Sequence, residues 1–274
     1  MKTLYISDLD GTLLNSEQKL SAYTINVVKR MIDRGEIFSY ATARSLVTAQ
    51  KVTEELTLSL PVICYNGAFI FDNETREVLY ETYFSPADVH LLREFLYAHN
   101  ITPIVYSFVD GKECFSFIEK SATAGVRDFL DSRIGDSRWR EAEDEDSLYA
   151  GKVFYITCID SDTALAPVIH RFKSDTKYQC VAGRDIYSGE LWCELLPHGA
   201  TKANAAMHLK RLMECGKLVA FGDGINDLPL FENSDECYAV ANSVEELKAK
   251  ATAVIGSNND DGVAKWLEEN VLGV

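Results

Sequence analysis

Two aspartates stand two residues apart in Asp8-Leu9-Asp10-Gly11-Thr12, directly after the apolar run Thr3-Leu4-Tyr5-Ile6-Ser7. In an extended chain that spacing points both carboxylates to one side. With residues 3–7 as the first strand of an open α/β sheet, the pair falls at the carboxyl end, where such sheets bind their ligands. Gly11 lets the backbone turn sharply and come close to an anion. Carboxylates so placed are suited to nucleophilic attack, proton transfer or holding a hard cation. They also make an ordinary Asp-Gly turn, so the chemistry depends on what the rest of the chain brings to them.

Four further segments bear on it. Ala41-Thr42-Ala43-Arg44 follows the second predicted strand, and Asn66-Gly67-Ala68 follows the third. Lys202 opens a helix after Gly199-Ala200-Thr201, and Gly222-Asp223-Gly224-Ile225-Asn226-Asp227 follows an apolar run at 217–221. In residue type and order Asp8–Thr12, Ala41–Arg44, Lys202 and Gly222–Asp227 resemble the four motifs of the haloacid dehalogenase-like superfamily of phosphotransferases, and Asn66-Gly67-Ala68 resembles a further turn of that family. The likeness is greatest to its Cof-type subfamily with a type IIB cap inserted between the second and third motifs. It covers the whole chain. It implies a phosphoric monoester hydrolase that uses Mg²⁺, acts on a small phosphorylated metabolite such as a sugar phosphate, and passes through an aspartyl phosphate.

A carboxylate attacking a phosphate dianion is a like-charge encounter that proceeds only where cations neutralise the site. Mg²⁺ takes hard oxygen ligands, few of them protein carboxylates. Asp8 and Asp223 are the expected side-chain ligands, and the resemblance implies that Asp10 joins through its backbone carbonyl. Lys202 supplies a point charge between Asp8 and the phosphate. Thr42, Ala43, Arg44, Asn66 and Asn226 are the expected substrate contacts, Asn66 being first of all a turn residue. Asp8 is the expected nucleophile and Asp10 the acid and base, a role helped by a neighbouring carboxylate and partial burial. Asp227 either orients the metal's waters or Lys202, or caps the helix that begins there. Two positions depart from the family, Ala43 and Ala203 standing where Gly is usual. A phosphomutase shares the same covalent chemistry, and a non-catalytic sensor of a phosphorylated ligand would share the pocket.

The elements that must position these residues follow from periodicity. Strand, helix, strand, helix, strand over residues 3–65 predicts a doubly wound, mostly parallel Rossmann-like α/β sheet. Ser21 is a predicted N-cap, and Gly35 a stop. Hairpins and helices of mixed character follow, then the α/β rhythm resumes at Lys202. This predicts a catalytic core of residues 1–83 and 197–274, with an α+β cap at 84–196. Arg184, Tyr187, Trp192 and Glu194 are candidate readers of the leaving group, although alternation over 186–196 points more to sheet packing. The acidic stretch 141–146 reads as a solvated loop.

Composition sets the outer limits. With 27 basic and 42 acidic residues the formal net charge is −15, which disfavours nucleic acid and anionic membrane as partners. It also repels a phosphorylated substrate, so a phosphate site needs concentrated positive charge or metal. The seven cysteines form no CxxC pair and lie mostly in apolar runs, as reduced thiols in a cytoplasmic protein would. No stretch is long and apolar enough to span a bilayer. A monomer or weak homodimer is expected.

Overall fold

The computed structural model describes residues 2–184 and 189–273. In chain order the first elements are Thr3–Ser7 (β1), Ala22–Asp33 (α1), Ile37–Tyr40 (β2), Leu46–Thr53 (α2), Val62–Cys64 (β3), Phe69–Phe71 (β4) and Val78–Glu81 (β5). There follow Pro86–Ala98 (α3), Ile104–Val109 (β6), Lys112–Phe117 (β7), Ala124–Asp131 (α4), Trp139–Glu141 (β8), Glu145–Leu148 (α5), Lys152–Ile159 (β9), Asp162–Phe172 (α6), Tyr178–Arg184 (β10) and Leu191–Pro197 (β11). The last are Lys202–Leu212 (α7), Lys217–Gly222 (β12), Leu228–Glu232 (α8), Glu236–Val240 (β13), Glu245–Lys248 (α9), Ala253–Ile255 (β14) and Gly262–Leu267 (α10). They form two units, Met1–Glu81 with Ala200–Val274, and Thr82–Gly199. Tyr187, one of the candidate readers, lies outside the described residues.

In the first unit, local signals start and stop the helices. The Ser21 hydroxyl accepts the N–H of Thr24 at the head of α1, and Gly35 (φ +81°) ends that turn. Five strands in the order β14-β13-β12-β1-β2 pair in parallel throughout. Leu4, Ile6, Leu218, Ala220, Cys237 and Ala239 share one face and pack on Ala205, Ala206 and Leu209 of α7, Leu230 and Phe231 of α8 and Leu247 of α9. On the other face Phe221 and Tyr238 meet Trp266 of α10, with ring centroids 5.1 and 4.3 Å apart. Helices on both faces are what an all-parallel sheet requires. Each such large apolar side chain, once buried, contributes about 1.5–3 kcal/mol.

One strand lies where the sequence pattern puts it but takes a different main partner. Residues 61–65 read as a third parallel strand, yet Val62–Cys64 opens a separate antiparallel sheet, β3-β4-β5. A single bridge, Ala41 to Ile63, ties it to the parallel sheet. The cause is the turn that follows: Tyr65, Asn66 and Gly67 all take positive φ (+52°, +52° and +96°) and fold the chain back on itself.

In the second unit six strands run β10-β11-β9-β6-β7-β8, antiparallel except for the β7–β8 pair. Helices α3 and α6 pack Leu92, Leu96, Leu165, Val168 and Phe172 against Val105, Ile156, Cys158 and Leu195. Phe129 of α4 meets Phe115 and Trp192 edge to face. The acidic stretch 141–146 is more ordered than a solvated loop. It leaves β8 at Glu141 and enters α5, where the side chains of Asp144 and Ser147 cap each other's backbone N–H. Arg184 pairs with Asp162 at 2.9 Å on the surface of this unit, and Glu194 lies opposite Thr157 of β9.

Arg138 is 5% exposed and bonds Asp136 (2.6 Å) and Glu113 (2.9 Å). Burial raises the Asp136 carboxyl, but the Arg138 hydrogen bonds outweigh it and hold the group below its usual range. Arg138→Met takes the guanidinium away from two shielded carboxylates, leaving Asp136 only the backbone N–H of residue 138 from that partner. It is expected to destabilise this unit by about 2–3 kcal/mol at neutral pH, as read by urea denaturation. A depressed folded-state pKa contributes stability that is complete above about pH 4 and lost on further acidification. The gap between Arg138→Met and wild type therefore narrows below pH 4. Among the described residues no helix is long and apolar enough to cross a membrane.

Candidate active site

The site begins with two neighbouring strands. β1 and β12 pair in register, Ser7 beside Phe221, and the Asp8 N–H donates to the Phe221 carbonyl at 2.9 Å. The segments that leave these strands therefore emerge side by side, and carboxylate oxygens of Asp8, Asp223 and Asp227 lie within 4.8 Å of one another. Lys202 is 1% exposed. The Thr201 hydroxyl accepts the Asn204 N–H and so places Lys202 first in α7. From there its Nζ donates to Asp8 Oδ1 and to Asp227 Oδ1, each at 2.7 Å.

The glycines are explained by this crowding. Gly11 takes φ +75°, and a Cβ there would collide with Asp223 Oδ2. A Cβ on Gly222 would stand 2.6 Å from Asp227 Oδ2. That oxygen accepts the N–H of Asp223 (3.0 Å) and of Gly224 (3.1 Å), so Asp227 closes its own loop. It does not cap the helix that begins there.

The electrostatics follow from the same contacts. Burial, then the Asp227 and Asp223 charges, push the Asp8 carboxyl up, against the pull of Lys202. Burial and then Asp227 push Asp223 up to about 6. Burial works against the charge on Lys202, but Asp227 and Asp8 outweigh it and hold the ammonium protonated. Fully ionised, three carboxylates and one ammonium would leave two negative charges uncompensated in a largely buried cluster, which is the repulsion behind these upward shifts. With Asp227 engaged by protein donors, Asp8 and Asp223 offer hard oxygens. One divalent cation balances the charge, so the donor set fits Mg²⁺.

Asp10 does not join the cluster. Arg44 holds it in a two-pronged pair, Nε to Oδ2 at 2.7 Å and an Nη to Oδ1 at 2.6 Å. Residue spacing does not show this pairing of Arg44, a candidate substrate contact, with Asp10. Gln18, held at φ +59°, accepts a further Arg44 N–H at 2.7 Å. The Thr42 hydroxyl is buried and accepts the Arg44 backbone N–H at 3.1 Å. Ala43 is exposed, whereas Ala203 is buried in α7. Asn66 is 4% exposed, and its Oδ1 accepts from Asn226 Nδ2 at 3.0 Å.

Sequence reasoning passed over three supports. The Thr12 hydroxyl donates to Asp223 Oδ1 at 3.1 Å. Asn242 Nδ2 donates to the Gly11 carbonyl at 2.7 Å, and the Ser243 hydroxyl to that of Gly222 at 3.0 Å. Thr12 lies inside the first motif and was the one that could have been found.

A three-layered α/β unit with this four-loop site is that of a phosphoryl-transfer enzyme. The chain belongs to the haloacid dehalogenase-like hydrolase family, whose sequence profile matches residues 5–267, and its enzyme class is that of the phosphoric monoester hydrolases. It is 27% identical over 293 aligned positions to the 5-amino-6-(5-phospho-D-ribitylamino)uracil phosphatase YwtE of Bacillus subtilis, covering 100% of this chain and 99% of that one. It is 24% identical to the pyridoxal phosphate phosphatase YbhA of Escherichia coli, with 97% of each covered. Among solved structures, a haloacid dehalogenase-like hydrolase from Bacteroides thetaiotaomicron shares the fold with a TM-score of 0.79 at 24% identity, over 98% of this chain and 99% of that one. The subclass IIB sugar phosphatase BT4131 shares it with a TM-score of 0.75 at 19% identity, with 98% of each covered.

Proposed function

We propose that this chain hydrolyses the phosphomonoester of a small phosphorylated metabolite, a sugar phosphate or a molecule like one, with Asp8 as nucleophile and Mg²⁺ as cofactor. The observation that carries the reading is the buried Lys202 ammonium joining Asp8 to Asp227 beside Asp223. An acidic cluster alone is common on protein surfaces. One that is shielded, tied to a lysine and short of positive charge is suited to an anion and a cation together.

Asp8 and Asp223 side chains, with the Asp10 backbone carbonyl, would hold the ion. Bound there, Mg²⁺ would screen the phosphate's charge from the attacking carboxylate. Asp8 attacks phosphorus, the bond to the leaving oxygen breaks, and Asp10 gives that oxygen its proton. Water then attacks the aspartyl phosphate, returns a proton to Asp10 and frees phosphate and Asp8. For either transfer Asp10 must give up part of its grip on Arg44. Thr42 and Asn226 are the proposed phosphate contacts, Ala43 lines the approach, and Asp227 holds Lys202 in place. The unit Thr82–Gly199 is the proposed selector of the leaving group. The relatives act on a phosphorylated ribityl chain and on pyridoxal phosphate, which keeps the class at small phosphorylated metabolites. Action in the cytoplasm, as a monomer or weak homodimer, completes the proposal.

The test is a panel of phosphorylated metabolites assayed for free phosphate, with Mg²⁺ and with chelator. The expected result is release from at least one sugar phosphate, abolished by chelator. Turnover that survives the chelator sinks the metal assignment, and isomerisation without free phosphate makes the enzyme a mutase.

A further inference from the structure

The turn Tyr65-Asn66-Gly67 touches three of the four motif loops. The Tyr65 N–H donates to the Arg44 carbonyl (3.0 Å) and the Asn66 N–H to that of Thr42 (2.9 Å). Gly67 lies so close to the third motif that a Cβ on it would collide with the Thr201 carbonyl, next to Lys202. The Asn66 amide oxygen takes Asn226 of the fourth. Three successive positive φ angles, two of them at non-glycine residues, are an uncommon backbone. Such strain persists only where the surroundings dictate it, and it gathers at functional sites. Tyr65 and Asn66 are both buried, 3% and 4% exposed.

We infer that Asn66 is a positioning residue of the reaction, acting through Asn226. This rests on the phosphatase reading above and goes further by giving Asn66 a role away from the substrate. Asn is among the few residues that accept the left-handed backbone readily, and its side chain supplies the acceptor that Asn226 meets. The backbone demand and the side-chain demand are therefore separable. Glycine meets the first and not the second, and alanine meets neither.

The experiment compares wild type, Asn66→Gly, Asn66→Ala, Asn226→Ala and the Asn66→Gly/Asn226→Ala double variant. Each is assayed with 4-nitrophenyl phosphate in Mg²⁺ and by thermal melting. Asn66→Gly is expected to melt within about 2–4 °C of wild type and Asn66→Ala clearly lower. Both should lose about 10–100-fold in turnover, the scale of a misplaced contact. The double variant should lose little beyond Asn226→Ala alone, because the two residues act as one unit. Turnover by Asn66→Gly within twofold of wild type, or losses that multiply in the double variant, overturn the inference. So does an Asn66→Gly protein that fails to fold, which makes the residue purely structural. A wild type that releases no phosphate sinks the phosphatase reading instead, so the two failures are distinguishable.

Discussion

Asp8→Asn is expected to release phosphate at least about 10⁴-fold more slowly than wild type, the scale of losing a nucleophile, and, in chelator, to melt no earlier. The two effects come from one cause. The amide cannot form the acyl phosphate, so turnover falls with no compensating route. The same change takes one ionisable carboxylate from a buried cluster that carries an excess of negative charge when ionised, so repulsion in the metal-free fold is relieved. Lys202 keeps its bond to Asp227. Added Mg²⁺ should raise the melting point of wild type by mass action, about 2.7 kcal/mol at a hundredfold excess over Kd, and that of the variant much less. A variant that keeps even a hundredth of wild-type turnover, after contamination is excluded, removes Asp8 from its proposed role.

Lys202→Met makes the opposite demand on stability. The methionine fills much of the same space but leaves Asp8 and Asp227, 6% and 0% exposed, without their shared cation. Breaking a buried pair from one side costs about 3–5 kcal/mol. Turnover should fall by about three orders of magnitude or more, as expected when a charge aimed at the transferring phosphoryl group is lost. The sign of the pH dependence separates this from a packing defect. With the ammonium gone, nothing offsets the burial that already pushes the Asp8 carboxyl up, and it binds its proton more tightly in the folded than in the unfolded chain. Folding stability then falls as pH rises. In chelator, the deficit relative to wild type should shrink between pH 8 and pH 5. A pH-independent deficit, read by urea denaturation, would point to lost volume instead.

How much of this the chain announces depends on distance along it. The Ser21 cap, the Gly35 stop and the apolar runs of β1 and β12 are written within a few residues of where they act. Asp8, Lys202, Asp223 and Asp227 could be nominated from type and order, and they do lie together. The clamp of Arg44 on Asp10 was out of reach, because 34 residues separate partners that meet only through tertiary packing. The antiparallel partner of the strand at 62–64 was hidden for a similar reason. A short apolar run shows burial without naming its partner, and Asn66-Gly67 was legible as a turn but not as one that reverses the chain. At Asp144 the signal was present, an aspartate three residues before a serine, and was hidden by the charge around it.

The pairing of β1 with β12 also sets a timetable for synthesis. Lys202 follows Asp8 by 194 residues, and β12 comes later still. On a ribosome adding about 5–20 residues per second, β1 waits roughly ten to forty seconds for the strand that covers its second edge. During that wait an apolar strand presents open backbone donors and acceptors, the kind of edge that recruits the wrong neighbour. The whole of Thr82–Gly199 leaves the ribosome in the interval, so nascent chains stalled before residue 217 are the ones expected to need a chaperone.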